Sequence, residues 1–177
     1  MNDRALFEAT VPVFRHYLRR IDALLSALPA DPAPLLRRRL APHAFTAAEH
    51  LETAAGFALR GVYPLLGREA PAVEPEALDR AGLSGFVHEI DARLAALAVS
   101  DFEGATARTV RHTAGQTELT QDATTFATLF ALPNFFFHLG MAFAILRHAG
   151  LDIGKADFDG QHVYAEGFRF ADDPRPT

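Results

Sequence analysis

Two residue types able to move protons or hold a metal ion sit inside a run of apolar side chains. The stretch Leu129 to His148, LFALPNFFFHLGMAFAILRH, carries Asn134 and His138 one helical turn apart, with Pro133 directly before them. Each needs a partner if buried, because desolvating a polar group without a hydrogen bond costs roughly 2–7 kcal/mol. Two chemistries suit them. A neutral imidazole at the floor of an apolar pocket can donate a proton to a bound small molecule or accept one from it. Alternatively, His138 could join His50 and a carboxylate from elsewhere in the chain around a zinc or nickel ion.

Spacing speaks against the metal. None of the eight histidines has another at i+3 or i+4, and the nearest pair, His43 and His50, is separated by about 10 Å of helix rise. Asn134 does lie four residues before His138, but an amide oxygen is a weak ligand for zinc or nickel. The expectation is therefore no cofactor, with a divalent metal at His50 and His138 as the exception. Both residues of the apolar stretch also have a structural reading. Pro133 interrupts the helical ladder and leaves carbonyls that the Asn134 amide can satisfy, and His138 can be a core histidine with its hydrogen bonds made.

Composition removes several function classes. Cysteine is absent, so disulfides, thiolate nucleophiles and sulfur-ligated metal sites are excluded. With 22 acidic residues against 17 basic ones, the net field repels phosphate backbones and anionic membranes. The short clusters Arg19–Arg20 and Arg37–Arg39 read as solvated faces, and no nucleic-acid partner is expected. The segment GLDIGKA at 150–156 has three residues where a phosphate-binding loop needs four between its glycines, and Ala156 where Ser or Thr would hold magnesium. Neither a nucleophile elbow nor a dinucleotide-binding glycine fingerprint is present.

The amino terminus lacks the basic start and continuous apolar core of a secretory signal, so the expected location is cytoplasmic. Leu129–Leu146 has the length of a membrane span, but Pro133, Asn134 and His138 interrupt it, and no membrane partner is expected.

The elements that must position these residues are mostly helical, and 177 residues with about half of them apolar suffice for one core. Thr10 and Pro12 read as the start of a first helix reaching about Leu28, with Phe14, Leu18, Ile21 and Leu25 on its inner face and His16 solvated opposite. PADPAP at 29–34 breaks it, and a short turn over 35–40 precedes a second helix, about 43–60. That helix has a face of small residues, Ala47, Ala54 and Ala58 among them, with His50 on its border.

A Pro- and Gly-rich loop runs from Gly61 to about Gly85. A third helix follows, with Phe86, Ile90, Leu94 and Leu97 inward and His88 and Asp91 exposed. Threonine-rich residues 106–121 read as a β-hairpin. Asp122 or Thr124 caps a fourth helix that Gly150 stops and Pro133 kinks, with Phe126, Phe130, Phe137, Met141 and Ala144 as its buried stripe. Beyond Gly154 periodicity is lost, and the closing DDPRPT reads as disordered.

The segment LFALPNFFFHLGMAFAILRHAGLDIGKADFDG, with TVPVFRHYL at 10–18 and RLAPHAFTAAEHL at 39–51, resembles a bacterial family of uncharacterised domains in the DinB/YfiT-like superfamily. The resemblance covers roughly residues 5–160, which are taken as the domain (1–160), with 161–177 as a C-terminal extension. It implies an all-α, four-helix bundle with one long crossover, here with a small β-hairpin before the last helix. It also implies a homodimer and, in several relatives, a metal-dependent enzyme acting on small thiols.

The superfamily's usual ligands are three histidines, one on helix two and an HxxxH pair on helix four. Carried over residue by residue, only His50 and His138 match. Ala142 stands where the pair would end if it began at His138, and Asn134 where it would begin if it ended there. Two readings stay open. The chain binds a small molecule between helices two and four at His50, Asn134 and His138, with a degenerate metal site and enzymatic activity undecided. Alternatively, it is a non-catalytic dimeric bundle in which those groups are structural.

Overall fold

Asn2, not Thr10, starts the first helix. The computed structural model of the protein describes residues 1–165, and in it Asn2 Oδ1 accepts the Ala5 N–H at 2.8 Å and opens helix α1, Asp3–Ser26. Pro12 sits inside α1 on its exposed side, where water can satisfy the carbonyl that proline leaves unbonded. Thr10 is fully buried and its hydroxyl donates to Leu6 O at 2.7 Å, so it bonds back within the helix and caps nothing.

After a short helix α2 (Ala33–Leu36), the second long helix, α3 (Ala47–Val62), begins four residues later than its sequence suggests. The reason is a capping box: Thr46 Oγ1 accepts the Glu49 N–H at 3.2 Å, and Glu49 Oε2 accepts the Thr46 N–H at 2.6 Å. His43 lies outside the helix in the left-handed region, φ 65°. Asp79 caps α4 (Arg80–Ala95), and the hairpin pairs β1 (Thr109–Ala114) with β2 (Thr117–Asp122) around Gly115.

The last long helix has three parts: α5 (Ala123–Thr125), capped by Asp122, a π-helical turn over Phe126–Ala131, and α6 (Leu132–His148). The π turn moves the buried face. An uninterrupted α-helix would carry the stripe from Phe126 through Phe130 to Phe137, but a turn that closes i→i+5 advances it by one residue. The buried positions therefore run Phe126, Ala131, Phe135, Leu139, Ala142 and Leu146. Phe130 and Met141 are only half-buried, Ala144 is exposed, and Phe137 is 57% exposed, which overturns the expected stripe.

The long helices form a bundle in which α3 packs along α6 and also touches α1 and α4. The small-residue face of α3 makes this approach close. A Cβ on Gly61 would come within 2.8 Å of the Ala131 Cβ and 3.1 Å of the Phe14 ring. Phe14, Phe102, Phe126 and Phe135 fill the centre. Arg15 donates to both oxygens of Asp91, at 2.8 and 3.2 Å, tying α1 to α4, so Asp91 is paired and partly covered; His88 is exposed.

A short helix, α7 (Lys155–Asp159), forms where periodicity had been lost, and Phe158 packs its ring against Tyr17 and Phe143. His16 is consequently not solvated: its Nε2 donates to Asp159 O at 2.7 Å. The segment Ala123–His148 is long and apolar enough to cross a membrane, and here its buried side belongs to the bundle core. The closing DDPRPT lies outside the described residues.

Candidate functional site

His50 occupies the first turn of α3, where the Thr46–Glu49 cap sets the helix phase and turns the ring inward; it is 4% exposed. His138 lies on α6, half-buried, facing it. Their Nδ1 atoms are 2.9 Å apart. At that distance one Nδ1 carries a proton and the other accepts it, so the two imidazoles form a couple with complementary tautomers. Phe45 lies 5.4 Å from the His50 ring and 5.9 Å from His138, while Phe57 stacks on His138 at 5.9 Å and Phe137 closes the other side at 5.1 Å.

This enclosure keeps the couple neutral. Burial pushes His138 down to about 4, helped by the nearby His50 and Arg60, because a second positive charge there would be poorly solvated. Burial also lowers His50, against the opposing pull of Glu49.

Among the described residues neither Nε2 has a protein partner, and neither is sealed from solvent. One Nε2 therefore offers a lone pair and the other an N–H. A proton accepted at the first can pass along the Nδ1–H···Nδ1 bond and leave from the second Nε2, with no net charge left on the couple.

Asn134 turns elsewhere. Its Nδ2 donates to Phe130 O at 2.8 Å, in the segment where the π turn and Pro133 disturb the ladder. It therefore sits one turn from His138 with one of its two amide hydrogens already used. The residues do not complete the metal set of the resembling superfamily. Ala142 is a fully buried methyl group, and the Glu49 carboxylate is held by the Thr46 amide and hydroxyl. Among the described residues no three His, Asp or Glu side chains converge on a point that could hold an ion. A donor set of two imidazoles falls short of the three protein ligands of a catalytic zinc.

Two clefts flank the couple, and other residues line them. One, of about 520 Å³, lies between α3, α4 and the 70–74 connection, with Phe45 at its edge and Glu52, Arg60 and Glu74 in its wall. The other, of about 220 Å³, lies beside the hairpin, where Phe57, Arg60, Phe130 and His112 meet. Sequence reading missed both Arg60 and His112. Arg60 stands ten residues after His50 on the same helix, and its guanidinium lies 4.2 Å from the Phe57 ring centroid. His112 sits on β1 and pairs its Nε2 with Gln121 Oε1 at 2.9 Å. For His112 the signal was its place in the hairpin, where Leu119 stands opposite and Gln121, diagonal to it, can bond its ring; for Arg60 there was no local signal, since a lone arginine late in a helix is ordinary.

Against known proteins, the family model described as "Domain of unknown function (DUF1993)" matches residues 6–159. The crystal structure of a DinB family member protein from Shewanella denitrificans superposes with a TM-score of 0.80 at 27% sequence identity, over 93% of this chain and 99% of that one. No curated protein matches the chain.

Proposed function

The chain belongs to the family described as Domain of unknown function (DUF1993) and to the DinB-like superfamily, and within that fold we propose that it binds a small molecule at the His50–His138 couple. The observation that carries this reading is the 2.9 Å Nδ1–Nδ1 contact, with both Nε2 atoms left unpaired and reachable. A pair meant only to satisfy itself has no need of open nitrogens beside exposed rings, and Phe45 and Phe137 are 47% and 57% exposed at its rim. The suited ligand is small, largely apolar and carries one hydrogen-bonding group. Asn134 acts in this reading as a support that holds the π turn beneath His138.

The test is to follow the imidazole nitrogens by ¹⁵N NMR while titrating phenol and benzamide. Saturable movement of the His50 and His138 Nε2 signals supports the reading. Signals that stay put while the rest of the spectrum shifts non-specifically sink it.

One observation favours a second reading, a non-catalytic homodimer. The face that α6 and its π turn leave outward carries Leu129, 72% exposed, and Phe137, with Pro133 and Ala144 exposed along the same helix. A second copy packing its own stripe against this one would cover it by an isologous contact.

A further inference from the structure

The larger cleft is lined by charges of both signs: Arg60 and Glu74, both exposed, and the half-buried Glu52, which Arg60 attracts without touching it. Among the described residues, Arg60, Glu52 and Glu74 form no ion pair within 4.0 Å. Among the described residues the only hydrogen bond of Arg60 is a long one, 3.4 Å, to Thr53 O, and Glu52 and Glu74 make none. The guanidinium is nonetheless held in place, because it lies over Phe57. Gly56, midway between Glu52 and Arg60 on α3, keeps the floor open. A Cβ there would lie 3.5 Å from the guanidinium and 3.9 Å from the Phe86 ring, so any longer side chain would fill the cleft.

The connection at 70–74 forms the opposite wall and brings Glu74 in, while Phe86 and Ile90 of α4 provide an apolar side. A second cleft, of about 300 Å³, continues past Glu74 and adds Glu76 and Glu89, so the negative end extends away from Arg60.

We propose that this cleft between α3 and α4 is a binding site for a small dipolar molecule, an anionic group on the Arg60 guanidinium and an ammonium group facing Glu52 and Glu74, joined by a short apolar spine. Its size, about 520 Å³, is that of a small-molecule site. Arg60 presents the fork that matches a carboxylate. A simple anion would gain Arg60 but meet two carboxylates, and a simple amine would meet the guanidinium. Only a molecule with both charges answers the whole lining. The guanidinium folds back over Gly56 toward Thr53 O, and Gly56 stands four residues, about 6 Å of helix rise, from Glu52, so the two charges of the ligand are separated by several bonds and not by one. The inference stands apart from the histidine couple, whose nitrogens do not line this cleft.

The test uses 6-aminohexanoate as the dipolar probe, with hexanoate and hexylammonium as single-charge controls, in amide NMR titrations of the full chain. The expected result is saturable shifts at Gly56, Arg60 and Val73, with the dipolar probe binding roughly tenfold more tightly than either control. Arg60→Gln and Glu74→Gln should each weaken it by roughly fivefold, and Gly56→Leu should abolish it while leaving the spectrum folded. Should one variant fail to fold, the other two carry the comparison. The proposal is overturned if the dipolar probe gives no saturable shift up to about 20 mM, if hexanoate or hexylammonium binds equally well, or if the folded variants bind unchanged.

Discussion

His50 in the first turn of α3 and His138 on α6, 88 residues apart in sequence, share one Nδ1 proton across 2.9 Å. Their mutual hydrogen bond makes each ring depend on the other. Several outcomes follow from this dependence and from the helix face beside it.

Acid should weaken the fold through this pair. His138 is pushed down to about 4, whereas an unfolded histidine titrates near 6.5, so between those values the unfolded chain binds a proton that the folded chain does not. The stabilisation is complete above about pH 6.5 and is lost as pH falls toward about 4, with His50 shifted in the same direction. Allowing for partial solvent screening, about 2 kcal/mol should disappear over that window. Urea denaturation at pH 7 and pH 4.5 measures it. A His138→Phe variant should show a flatter profile, and an identical slope in both proteins would remove the histidine from the explanation.

Removing one ring should cost more than its half of the pair. His138→Phe leaves the His50 Nδ1 nearly buried without a partner, a loss of about 1–3 kcal/mol, and His50→Phe does the reverse. Replacing both should cost less than the two single losses added, by about 1 kcal/mol or more. Additive losses in the double-mutant cycle would mean that the 2.9 Å contact contributes little.

Zinc should leave the thermal midpoint of the natural chain unchanged, because two imidazoles do not complete a site. Asn134→His supplies an i, i+4 pair with His138 and, with His50, three imidazoles. That variant should lose about 1 kcal/mol without metal, since the bond to Phe130 O goes, and regain it with a zinc-dependent rise in midpoint. One equivalent of zinc in the natively purified natural chain would refute the account.

If a second copy covers the outer face of α6, charge placed there should separate the two. Leu129→Glu and Phe137→Glu lie on exposed positions and should leave the fold stable within about 0.5 kcal/mol while shifting sedimentation from dimer to monomer. A natural chain that sediments as a monomer at high concentration would dismiss the interface.

Much of this molecule was legible before any coordinates. The absence of cysteine, the apolar residues at helical spacing and the threonine-rich hairpin defined an α-helical bundle with a single small sheet, and the signature 129–160 pointed to its superfamily. His50 and His138 could be singled out because a polar ring on an apolar face is a local property. The starts of α1 and α3 were also written in the chain, as Asn2 ahead of Asp3 and as Thr46-x-x-Glu49.

Helix phase and long-range meeting were decided only in three dimensions. In the folded chain Phe126–Ala131 closes i→i+5 and not i→i+4, with Ala131 seated against Gly61. That choice turns the rest of the helix by one residue, exposing Phe137 and burying Ala142. Side-chain identity carries no record of it, because an apolar residue suits either face until a neighbour takes one. The same holds for the contact between His50 and His138 and for the unpaired Arg60 opposite Glu74: each joins residues on separate elements, and only the packing of α3 against α6 and α4 brings them within reach.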